Sequence, residues 1–199
     1  MNTTKTFVTS IYNNRHLDDG ELVERALAGD SWSEEAIFHK YVNQVSSVAA
    51  KLLRQHAEVD DVVQDTFVQA FRDLKHLNDP SKLKPWLIQI VVHRSHARFR
   101  KRSWVKFFSR ASSIDDEKLI DQVRVEATQE TLAEIAMLDR AFDKMKLTHR
   151  TCWILKHLEG YQLTEIASIT GVSLATVKRR ISAASEYLQN YVEQGGLHD

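Results

Sequence analysis

The chain has 199 residues, with 27 lysines and arginines balanced by 27 aspartates and glutamates, so its formal net charge is zero. Its single cysteine, Cys152, excludes an intramolecular disulfide and fits a reducing compartment, and six glycines with two prolines are few for a loop-rich fold. The opening stretch MNTTKTFVTSIYNNRHL lacks a signal peptide's apolar core, and no apolar run approaches bilayer-spanning length, so a soluble cytoplasmic protein is expected.

Apolar residues recur at helical spacing almost throughout, which predicts an all-α fold of two small helical domains joined by a flexible linker. Residues 1–18 are polar and aperiodic and read as a tail. From Asp19, the residues Leu22, Val23, Ala26 and Leu27 form a stripe that Gly29 ends. A longer helix is expected from Ser33 to Arg54, with Ile37, Tyr41, Val45, Val48 and Leu52 among its inward residues. A third begins near Asp60, turns Val62, Val63, Phe67, Ala70 and Leu74 inward, and leaves Asp61, Gln64, Asp65, Gln69 and Arg72 outside.

The next segment, KLKPWLIQIVVHRSHARFRKR from Lys82 to Arg102, holds no acidic residue. Pro80 and Pro85 precede a helix expected to start at Trp86, where Trp86, Leu87, Ile90 and Val91 form an anchoring stripe. Arg94, Arg98 and Arg102 follow at four-residue spacing on one face, and guanidinium groups fixed this way can bind successive phosphates. A solvated basic helix end has the same composition. Beyond Arg102 no apolar stripe is sustained and the charge turns acidic from Asp115 to Glu134, so residues 104–129 read as a mobile linker. Trp104, Phe107 and Phe108 within it are expected to close the first domain's core.

The second domain is expected over 130–192, before a short tail at 193–199, with Leu132, Ile135, Leu138, Ala141, Phe142 and Met145 on one helix and Trp153, Ile154, Leu155 and Leu158 on the next. GYQLTEIASITGVSLATVKRRISAASEYL then reads as helix, glycine turn, helix. Ile166, Ala167, Val177 and Ile181 pack inward, Gly171 makes the turn and Ser173 caps the second helix. Ala175, Lys178, Arg179, Ser182 and Ala183 point outward, where a recognition helix meets a major groove. His149, Cys152 and His157, like His93 and His96, lack the number and spacing of a zinc site, and no phosphate-binding glycine loop or nucleophile motif occurs. Neither a metal, a cofactor nor an enzymatic activity is expected.

Taken together these pieces resemble an alternative RNA polymerase sigma factor of the extracytoplasmic-function subfamily, from about Leu22 to Leu188. GELVERALAGD looks like that family's first helix, and DDVVQDTFVQAFRDL is similar to its polymerase-binding helix. WLIQIVVHRSHARFRKR looks like the helix that reads and opens the minus-ten element, and LEGYQLTEIASITGVSLATVKRRI is similar to the helix-turn-helix that binds the minus-thirty-five element. The resemblance implies core polymerase and promoter DNA as partners and leaves room for an anti-sigma factor.

Residue by residue, it implies polymerase contacts at Asp61, Gln64, Asp65, Gln69 and Arg72, and minus-thirty-five contacts at Lys156, Lys178, Arg179, Ser182 and Ala183. Asn78, Ser81, Lys82 and Lys84 would line a pocket for an extruded base, while Trp86, His93, Arg94, Arg98 and Lys101 complete the minus-ten set. His93 stands where asparagine is common, Ala97 where aspartate is usual and Ala183 where arginine often reaches DNA, so promoter sequence does not carry over. A stand-alone helix-turn-helix regulator is the rival reading, and it would not need the Asp61 to Arg72 surface.

Overall fold

In the computed structural model the described residues are 17–108 and 129–194, with side chains described for 17–102 except His56 and for 136–194. Residues 1–16 of the N-terminal tail, most of the acidic linker, the last five residues and the side chains of Trp104, Phe107 and Phe108 lie outside that set. Eight α-helices and no strand occur among the described residues.

Helix α1 (Asp19–Leu27) is capped by Asp18, whose carboxylate accepts the Glu21 amide at 2.8 Å. It ends at Ala28, and Gly29 follows with φ 88°, a conformation that favours glycine. Helix α2 (Ser31–Leu53) starts two residues earlier than its apolar stripe suggests, because Asp30 accepts both the Trp32 amide and the Ser33 hydroxyl. Tyr41 donates its hydroxyl to Asp19 and staples α2 to α1. Arg54, read as the last helical residue, is instead the left-handed cap at φ 61°.

Helix α3 (His56–Asp73) begins four residues before its expected start and turns Val59, Val62, Val63, Phe67 and Ala70 inward. Two 3-10 turns lead to α4 (Leu83–Phe108), which starts three residues before Trp86. Pro85 fits inside its first turn because no intrahelical partner exists there for an amide hydrogen. At its far end α4 runs through the first residues assigned to the linker.

Helices α5 (Gln129–Lys144), α6 (Leu147–His157), α7 (Leu163–Thr170) and α8 (Leu174–Glu193) form the second unit. Leu27, Leu138 and Leu158, each expected inside, are 51%, 39% and 50% exposed, because stripe edges fall beyond the neighbouring helices. The main core is continuous between the units: Leu52, Leu87 and Val91 belong to one apolar cluster with Leu155, Ile166 and Val177. Truncating such a fully buried leucine to alanine costs about 2 to 5 kcal/mol.

Polar contacts stitch the same boundary. Lys51 pairs with Glu159 at 2.5 Å, Arg54 pairs with Asp139 and Asp143, and His96 bonds Thr151 at 2.8 Å. Arg150, only 1% exposed, donates to the Phe142 carbonyl of its own unit and to the Leu52 carbonyl of the other at 2.8 and 2.6 Å. Burial in this cluster, beside Arg54, pulls its guanidinium down to about 10. Uncovered, either carbonyl would be a buried acceptor without a donor.

Candidate nucleic-acid interface

The turn before α4 is built on Asp79, whose carboxylate accepts the Ser81 amide at 3.0 Å and the Ser81 hydroxyl at 2.7 Å. Those bonds hold the Asp79 carboxyl below the usual range. They also occupy Ser81, so of the four residues expected to line a base pocket it serves the turn instead. Asn78 and Lys82 do line a cleft of about 450 Å³, together with Trp86 and Gln89, and Thr164 and Ser168 of α7 form the facing wall. Lys84 lies outside it with its ammonium 6.0 Å from the Tyr161 ring centroid. Trp86 does two things: it packs half-buried against the core and lines the cleft. Gln89 reaches the Ser168 carbonyl at 3.5 Å, which sets α4 directly beside the first helix of the helix-turn-helix.

The three spaced arginines do share a face, but it is turned to α3 rather than to solvent. Arg94 donates to Gln69 at 2.8 Å and sits 4.0 Å from Asp65. Arg98 pairs with Glu58 and with Asp61, both at 3.1 Å, and Arg102 pairs with Glu58 at 3.3 Å. Arg94 and Arg98 are therefore not free phosphate ligands in this arrangement. The exposed face carries His93, Ala97, Arg100 and Lys101, and among the described residues none of them makes an ion pair. Arg100 was not singled out from sequence, although exposure two residues from Arg98 follows from the 3.6-residue period.

On α3, Asp61, Gln64 and Asp65 are exposed, Gln69 is half-buried and Arg72 is exposed but paired with its neighbour Asp73 at 3.1 Å. Val68, 60% exposed, sits among them, an apolar side chain on an otherwise polar face that the sequence pattern had not assigned. Glu58 was also missed, and it pairs with both Arg98 and Arg102.

In the second unit Gly171 turns the chain at φ 67°, Ser173 accepts the Thr176 amide at 3.2 Å, and Ile166 and Val177 are fully buried between the two helices. Lys178, Arg179 and Ser182 are exposed along α8, with Arg179 only 3.4 Å from the Thr176 hydroxyl, while Lys156 on α6 is half-buried. Ala183, expected to point outward, is half-buried beside the buried Ala184. Cys152 is buried and burial pushes its thiol up, which suppresses the reactive thiolate. Among the described residues no three histidine, cysteine or acidic side chains come together as a metal site, and no helix is long and apolar enough to cross a membrane.

Two family models match the chain in succession: Sigma-70 region 2 over residues 37–105 and Sigma-70, region 4 over residues 135–188. Together they cover more than half of it. The chain is 26% identical over 167 residues to the RNA polymerase sigma factor NccH of Alcaligenes xylosoxydans xylosoxydans, covering 83% of this chain and 90% of that one. It is 27% identical over 188 residues to the ECF RNA polymerase sigma-E factor of Escherichia coli strain K12, covering 90% and 97%. Two solved structures share the fold. The sigma factor RpoE bound to the anti-sigma factor NepR from Bartonella quintana superimposes with TM-score 0.65 at 23% identity, over 78% of this chain and 94% of that one. CnrH bound to the cytosolic domain of CnrY gives TM-score 0.63 at 22% identity, over 88% and 97%. A region 2 unit with a basic helix, followed by a region 4 unit with an exposed recognition helix, places the chain in the sigma-70 family as an extracytoplasmic-function sigma factor that directs transcription initiation.

Proposed function

We propose that the chain binds core RNA polymerase through α3, docks α8 on the minus-thirty-five duplex and uses the cleft before α4 to hold an extruded minus-ten base. The observation that carries this reading is the order and placement of three surfaces: an acidic polar face on α3, a cleft of Asn78, Lys82 and Trp86, and a basic recognition face with Lys178 and Arg179. Asp61 and Asp65 suit a cationic groove on a large partner, with Val68 as the apolar centre. Arg100 and Lys101, beside His93, are the cations placed to follow the exposed strand. A duplex opens spontaneously only if the opened strand is bound more tightly than the closed one, which a base pocket plus backbone cations accomplishes. RNA synthesis belongs to the polymerase, and the working location is the cytoplasm. An anti-sigma factor, the partner of NepR type in the RpoE complex, is the expected regulator.

Both elements cannot be engaged while α4 and α7 touch. About 25 base pairs separate the minus-ten and minus-thirty-five centres, or about 85 Å at about 3.4 Å per base pair, whereas Gln89 and Ser168 are in hydrogen-bond contact. The two units therefore part on the promoter, breaking Lys51–Glu159 and the Arg54 pairs. A fluorescent base analogue in the minus-ten region of a holoenzyme-bound promoter tests the pocket. Lys82→Ala with Lys101→Ala should slow and reduce strand opening while polymerase binding stays intact; opening at the wild-type rate and extent would remove the pocket assignment.

A further inference from the structure

The carboxylates of α3 and the arginines of α4 form a ladder with one sheltered rung and two exposed ones. Glu58, 15% exposed at its side chain, holds both Arg98 and Arg102 and fixes the register of the two helices. Asp61 and Asp65 are 61% and 62% exposed and close the outer rungs to Arg98 at 3.1 Å and Arg94 at 4.0 Å. The outer aspartates are thus the same two groups that the polymerase reading needs, and the guanidinium groups they neutralise lie on the helix assigned to the opened strand. Carboxylate and phosphate compete for a guanidinium fork because both offer paired oxygens of matching geometry. Exposed pairs of this kind exchange partners at little net cost.

We propose that Asp61 and Asp65 are shared between two ligands: in the free chain they hold Arg98 and Arg94, and when α3 docks on a cationic polymerase groove they release those arginines to the phosphates of the opened strand. Glu58 is the positioning residue that keeps Arg98 on the α4 face through the exchange. The two binding events then strengthen each other, since whichever ligand arrives first removes a competitor of the second. The inference rests on the polymerase and minus-ten assignments above and adds the residues through which the two sites exchange partners.

The test uses the full chain without polymerase and a short fluorescein-labelled oligothymidylate, because phosphate contacts do not depend on base sequence. Asp61→Asn with Asp65→Asn should tighten binding roughly threefold or more and steepen the salt dependence by about 0.7 for each freed arginine. Glu24→Gln with Glu35→Gln, the same charge change on exposed positions of α1 and α2, should produce a clearly smaller effect. In an Arg94→Gln, Arg98→Gln background the aspartate change should add nothing beyond that control. Equal tightening by the control pair, or tightening that persists without the two arginines, overturns the ladder. If Lys82→Ala with Lys101→Ala weakens binding while the aspartate change does nothing, the strand-binding assignment stands and the ladder alone fails. Insensitivity to Lys82 and Lys101 as well overturns both.

Discussion

His96 lies at the seam between the units, and its protonation should loosen the fold at mildly acidic pH. Its Nε2 is 2.8 Å from the Thr151 hydroxyl, and that hydroxyl donates to the Leu147 carbonyl at 2.8 Å. The hydroxyl hydrogen being committed, the Thr151 oxygen accepts, and His96 is the neutral tautomer carrying its proton on Nε2. Burial, reinforced by His93, Arg100, Arg150 and Arg180, pulls the ring down to about 4. Above about pH 6.5 folded and unfolded chains both hold it neutral, so it contributes no pH dependence. As pH falls from there towards 4, the unfolded chain gains a proton that the folded chain refuses, and stability is lost across that window. At pH 5 the shift corresponds to about 2 kcal/mol, reduced to about 1 to 2 because the ring is partly solvated. His96→Gln retains an N–H donor for Thr151 and cannot titrate. Urea unfolding followed by circular dichroism between pH 7.5 and 5 should show the wild type losing about 1 to 2 kcal/mol more than the variant. Parallel pH profiles would refute the argument, since the two proteins differ only at position 96.

Asp61→Arg or Asp65→Arg should weaken capture of core polymerase in a pull-down without shifting thermal unfolding by more than a few degrees, as both side chains are exposed. Arg179→Ala should cost about 1 to 3 kcal/mol on a cognate minus-thirty-five duplex if it reads a base edge, measured by anisotropy, whereas Lys156→Ala should weaken all sequences evenly and lower the salt slope by about 0.9. Lys51→Glu sets two carboxylates together where Glu159 is 7% exposed, and should separate the units; X-ray scattering should register a larger radius of gyration, reversed by adding Glu159→Lys.

Helices with strong caps and single-sided stripes could be read from the residues alone. Ser173 announces α8, and Gly171 marks the turn between α7 and α8 because its backbone takes a conformation costly for other residues, whereas Asp18 and Asp30, the caps of α1 and α2, were not read as caps and α2 was started two residues late. The direction of the basic face was harder. Four-residue spacing puts Arg94, Arg98 and Arg102 on one side of a helix but does not say what that side meets. A complementary stripe was present in Glu58, Asp61 and Asp65 at spacings of three and four, and pairing the two stripes would have predicted the ladder. The seam between the units had no such signal. Arg150 reads as a surface cation, and only the tertiary meeting of α6 with the end of α2 supplies the Leu52 carbonyl that lets it be buried. Pro85 was read as a boundary when it is a tolerated first-turn residue of α4.

The central claim is most directly tested by adding the purified chain to core polymerase on a library of genomic promoter fragments and sequencing the transcripts. Discrete start sites that depend on the chain, share upstream elements at a fixed spacing and disappear with Asp61→Arg are the predicted result. A chain that binds duplex DNA unaided but is not retained by core polymerase, and yields no chain-dependent start site, would contradict the account and favour a stand-alone helix-turn-helix regulator.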